Sequence, residues 1–171
     1  MTTPASITLD YESSEDRILA VINAGRVDAS GYWLTRRLTL NIIERANPYL
    51  DRMSPVVGNT PQELRGDLAA MERQVALART EGAVSRAGND ALTDAAAKAD
   101  LAVEITIAKE TNGFALQLRS RNGAHTSLVW SRDHLQRIVL MIEEIAARSG
   151  WREGQPVGLK PQQETSKPIR H

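Results

Sequence analysis

Few residues in this chain have the type and spacing to do chemistry. Ser131, Asp133 and His134 place the three side-chain types of a hydrolytic triad next to one another. A working triad needs its members to converge from separate elements, so that the acid orients the base and the base reaches the nucleophile. Neighbours at one helix start do not converge, and Ser131 reads as a helix cap. His125 and His171 add no HxH or HExxH spacing, so the pattern of a metal site is absent. Glu143 and Glu144 are adjacent, and adjacent helical side chains diverge by about 100°. They do not make a carboxylate pair; Glu144 and Arg148 instead form an i,i+4 surface pair. There is no glycine-rich phosphate loop and no GxSxG elbow. With no cysteine, disulfides, thiolate metal sites and cysteine nucleophiles are excluded. No catalytic residue, cofactor or metal is expected.

The constellation that breaks a local rule is cationic. With Thr35 as N-cap, Arg36 and Arg37 occupy the first turn of a helix, where the dipole disfavours positive charge. Two guanidinium groups beside free backbone N–H groups suit a phosphate or carboxylate partner, and Trp33 next to them offers a flat packing surface. The alternative is an earlier helix start, capped by Asp28 or Ser30, with both arginines simply in solvent. A second surface is suggested by Leu140 and Met141, which widen the apolar stripe of the last helix beyond what one sheet needs. The candidate partner-binding residues are therefore Trp33, Arg36, Arg37, Leu140 and Met141.

Charge argues in the same restrained way. Basic and acidic residues balance at 21 each, so there is no global field to gather nucleic acid or anionic lipid. Locally, residues 1–30 carry two Arg against five Asp/Glu, and residues 31–60 carry four Arg against two. The start, Met1-Thr2-Thr3-Pro4, lacks the basic and apolar regions of a signal peptide. The longest apolar runs, Ile18–Ile22 and Ile138–Ile142, are too short to span a bilayer. A cytoplasmic location and no membrane are expected.

The elements that must position these residues form an α+β fold, with antiparallel hairpins and a meander packed against a layer of helices. Ile7, Leu9 and Tyr11 alternate, and pairing Glu12 with Arg17 sets them opposite Ile22, Ala20 and Ile18. Leu19 and Val21 imply that this second strand is covered on both faces. A helix follows at 35–50 with Leu34, Leu38, Ile42, Ala46 and Leu50 as its stripe, stopping or bending near Pro48. The helix at 60–82 has Thr60 as N-cap, Pro61 at N1 and Glu63 at N3, and a stripe of Leu64, Leu68, Met71 and Val75. Residues 83–100 read as a linker with a helical turn or two around Asp90–Lys98.

Strands are expected near 102–110, 114–120 and 125–130, then a helix at 131–149 ended by Gly150, with Trp151 folded back over Ala146. A three-residue loop at Arg121-Asn122-Gly123 with Gly123 left-handed pairs Phe114 with Trp130 and unites the apolar set. Both halves read as strands followed by a helix, which suggests two ββ(β)α units joined by the central helix. Ile7-Thr8-Leu9 resembles Ile105-Thr106-Ile107, and Trp33 with Leu38 resembles Trp130 with Leu135, though chance accounts for matches this short. Residues 1–151 then form one domain, with sub-units 1–58 and 100–151, and 152–171 form a flexible tail. The function expected is that of a non-enzymatic interaction protein, an adaptor, assembly factor or subunit with a protein partner and self-association. The alternative, less favoured, is a nucleic-acid-binding module using a sheet face and the Arg/Trp patch.

Overall fold

The computed structural model describes residues 6–81 and 87–152. Six strands form one sheet: β1 (Ile7–Glu12), β2 (Arg17–Ile22), β3 (Ser30–Thr35), β4 (Asp100–Glu110), β5 (Gly113–Ser120) and β6 (His125–Trp130). They lie side by side in chain order. All neighbours are antiparallel except β3 and β4, which run parallel through Tyr32↔Asp100 and Trp33↔Leu101. Helix α1 (Arg36–Arg52) follows β3, and α5 (Arg132–Arg148) follows β6. The sheet is thus two βββα units laid in the same direction. Between them come α2 (Pro55–Gly58), α3 (Gln62–Arg79) and α4 (Asn89–Lys98).

The registers follow from the apolar alternation. Tyr11 faces Ile18, Leu9 faces Ala20 and Ile7 faces Ile22. Phe114 faces Trp130, Leu116 faces Leu128 and Leu118 faces Thr126, with Gly123 at φ +89° in the turn. These strands, with Leu34 and Tyr32, present one apolar face to Ile42, Ala46 and Leu50 of α1 and Leu135, Ile138, Val139 and Ile142 of α5. Leu19 and Val21 of β2 point the other way and are covered by Ala95 and neighbouring residues of α4. Gly31 permits that contact, since a Cβ there would lie 2.7 Å from the Ala95 carbonyl oxygen.

Five expectations are corrected. Residues 30–35 are a strand, so Leu34 belongs to the sheet core and not to the α1 stripe. The α1 helix continues through Pro48 to Arg52, because the surrounding core holds Ala46 and Leu50 in place. Thr60 is not the cap of α3: its hydroxyl donates to the Val56 carbonyl, and Pro61 takes the cap position without a side-chain bond. The helical turn or two expected around Asp90–Lys98 is a full ten-residue helix, Asn89–Lys98, packed on the sheet and not lying in a linker, because its small alanines fit against the strands. Arg148 donates to the Glu144 carbonyl at 3.4 Å instead of pairing with its carboxylate.

The two units also refine the internal likeness. Thr35 and Ser131 are the N-caps of α1 and α5, each accepting from a backbone N–H three residues on. Aligning the caps matches Trp130 with Leu34, both against the core, and Trp33 with Val129, both on the opposite face. The Trp33–Trp130 match is therefore out of register by one residue. The tail, beyond Arg152, lies outside the described residues.

Candidate interaction surfaces

The candidate residues do not gather into one patch. Trp33 is half-buried on the sheet face covered by α4, packed with Leu19, Val21, Leu92 and Ala96. Arg36, at the next turn of chain, belongs to the opposite side. Its guanidinium donates to the Trp151 carbonyl at 3.1 Å. Trp151 is buried by the Schellman geometry at the end of α5, with its N–H on Ala146 O at 2.9 Å and Gly150 at φ +70°. Its indole N–H reaches Asp16 Oδ1 at 2.6 Å, and the Tyr11 hydroxyl donates to the same oxygen at 2.8 Å. These donors, with Arg36 nearby, hold the Asp16 carboxyl below the usual carboxylate range. Arg36 is thus spent on a clasp that ties the first hairpin to the last helix. Arg37 is exposed and makes no hydrogen bond or ion pair with a described residue.

Leu140 and Met141 are half-buried on α5 and stand outside the main core. Asp133 and Arg137 share their side of the helix by three- and four-residue spacing. Both hold α3: Asp133 pairs with Arg79 at 3.5 Å, and Arg137 donates to the Leu77 carbonyl at 3.4 Å. The extra apolar width of α5 therefore lies on the side where α3 sits. An ionic joint locks the same helices to α1. Arg132 Nη2 lies 3.0 Å from Glu72 and 3.9 Å from Asp51, and its Nε donates to the Leu50 carbonyl at 3.1 Å. Ser54, buried at the start of α2, donates to Glu72 at 2.9 Å and caps the turn through the N–H groups of Val56 and Val57.

That joint decides which way α3 faces. The residues α3 buries are Ala69 and Ala76, with Thr80 just beyond its end. Its apolar stripe is turned outward instead. Leu64 is 57%, Met71 62% and Val75 44% exposed, with Leu68 half-buried between them. The sequence marks this stripe clearly, and its spacing alone does not say which way it faces. The signal for the outward orientation lies in Glu72 and Arg73, which sit beside Ala69 and Ala76 and seek the carboxylates and guanidinium of α1 and α5.

Nothing resembling a reaction centre is assembled among the described residues. The Ser131 hydroxyl lies 2.8 Å from His134 Nδ1, but it also accepts the His134 N–H as a cap, and Asp133 is turned to Arg79. Glu143 is half-buried, takes a hydrogen bond from Asn47 at 2.8 Å, and is pushed up by burial. Asp100 accepts the N–H groups of Leu101 and Asn122, each at 2.8 Å, which lower its pKa. Among the described residues no cluster of His, Asp and Glu fits a metal ion, and no helix is long and apolar enough to cross a membrane. Comparison with protein-family models, with curated proteins and with solved structures gave no match.

Proposed function

We propose that this chain is a non-enzymatic interaction protein that acts through the outward seam of α3, with a second copy of itself as the first partner. The observation that carries this reading is the exposure of Leu64, Met71 and Val75 on one helix face. Apolar residues on a folded surface are unremarkable singly; a row along one helix is a contact surface. Their spacing, with Leu68, is four, three, four, the seam spacing by which two helices interlock side chains. Arg65 and Asp67 flank the seam with opposite signs, so an identical helix meets no uniform repulsive field. An adaptor or assembly subunit is the role that such a surface suits.

The nucleic-acid alternative draws support only from Arg37. Stacking on a sheet needs exposed rings. Tyr32 and Phe114 are buried in the core, Trp130 packs against it, and Trp33 lies under α4.

The absence of native cysteine makes a direct test simple. Leu64→Cys, Met71→Cys and Val75→Cys, each made alone, should give disulfide-linked dimers on mild oxidation, whereas Ser127→Cys on the far face should stay monomeric. Equal yields at all four positions, or none at any, would remove the seam from the account.

A further inference from the structure

The parallel pair β3–β4 is short, and that leaves a strand edge inside the sheet without a neighbour. Its registered pairs end at Trp33↔Leu101, while β4 continues to Glu110. Beyond that point the β3 side of β4 faces α1 across a cleft of about 490 Å³, lined by Asn41, Glu44, Arg45, Tyr49 and Arg52 of α1 and Ile105–Ile107 of β4. The Lys109 N–H points into this gap and donates to the Tyr49 hydroxyl at 3.0 Å. Antiparallel pairing alternates inward and outward backbone groups, so Ile105 and Ile107 share the outward orientation of Lys109. The β3 register ends before them, and among the described residues no side chain, loop or cap group bonds to their N–H or C=O.

An open strand edge is a template for an added strand, and proteins that do not use one cover it. Here the cleft is furnished for an occupant. Arg45 and Arg52 stand on its rim, exposed and without an ion pair to a described residue. Glu44 is the one acid beside them. Pro48, also on the rim, has no N–H to donate to the Glu44 carbonyl, which leaves that oxygen without its helical donor. Half-buried Ile105 and Ile107 give the floor an apolar contact.

We propose that this cleft is a strand-addition site for an acidic, extended segment of a partner protein. Main-chain bonds to Ile105 and Ile107 hold the segment, and alternate carboxylates meet Arg45 and Arg52. This site is separate from the α3 seam, and neither reading depends on the other.

The probe is a fluorescein-labelled ten-residue peptide of alternating Val and Glu, titrated against the full chain by anisotropy. Saturable binding is expected, at least about tenfold tighter than for the Val–Lys counterpart, with slowed amide exchange at Ile105 and Ile107. N-methylation of alternate peptide amides should abolish it. The double variant Arg45→Glu with Arg52→Glu should weaken it by more than about tenfold at unchanged Tm, while Met71→Glu should leave it intact. No binding, equal binding of both peptides, or insensitivity to N-methylation would overturn the proposal. So would apparent affinity that falls as protein concentration rises, because a second copy would then own the cleft.

Discussion

Helices α3 and α5 carry the same kind of apolar stripe, and the fold buries only one of them. In α5, Leu135, Ile138, Val139, Ile142 and Ile145 are all in the core. In α3 the stripe faces solvent, and alanines line the buried side. The difference lies in what each helix has on its other faces. Opposite its stripe, α5 carries exposed Glu144 together with Asp133 and Arg137, which reach only the end of α3. On α3, Glu72 and Arg73 join ion pairs with Arg132 and Asp51, and Ser54 binds Glu72 as well. Amphipathic spacing shows that a helix has a face to hide. Which partner hides it depends on the polar contacts around it.

Substitutions on the two stripes should separate most sharply in stability. Leu135→Ala, fully buried, should cost about 2–5 kcal/mol in urea unfolding through lost transfer energy and a cavity. Leu64→Ala should stay within about 0.5 kcal/mol of the wild type in the same measurement, under dilute monomeric conditions. Equal losses would mean that α3 hides its stripe within the monomer.

The joint that orients α3 comes next. Arg132→Ala leaves Glu72 and Asp51 facing each other without their shared cation, and should cost about 1–3 kcal/mol. It should also speed hydrogen exchange along α3 ahead of α5. Uniform exchange would mean that the joint does not set the orientation.

The clasp at Asp16 gives a smaller, pH-dependent effect. Its carboxyl is lowered by the Trp151 and Tyr11 donors, so the stabilisation is present above the unfolded value and lost as pH falls through the lowered folded value. Asp16→Asn should therefore flatten the acid limb of Tm against pH. Arg36→Ala should lower Tm through the Trp151 carbonyl, and Arg37→Ala should leave it unchanged. A wild-type acid limb in Asp16→Asn would mean that other carboxylates carry it.

Much of the fold was legible because strand alternation and turn chemistry are local. The loop at Arg121–Gly123 follows from requiring Phe114, Leu116 and Leu118 to share a face with Trp130, Leu128 and Thr126, and the observed register agrees. Strand β3 was not legible, since Gly31 and the single turn between Leu34 and Leu38 mimic a helix start. Helix α4 was obscured by its alanines, whose small size is what lets it lie against β2 and β3. Arg36 and Arg37 were legible as an anomaly at a helix start. Their different fates were not, because the carbonyl that claims Arg36 lies 115 residues away. The outward seam and the open β4 edge both depend on tertiary placement, on α3 packing through its alanines and on β3 ending early.

The measurement closest to the central claim is sedimentation equilibrium of the wild-type chain beside Met71→Glu, at matched concentrations and pH 7. An outward α3 seam should give a reversible monomer–dimer equilibrium in the wild type that Met71→Glu shifts to monomer, with Tm extrapolated to low concentration unchanged. A wild type that stays monomeric at high concentration, or a Met71→Glu variant that dimerises equally well, would contradict it.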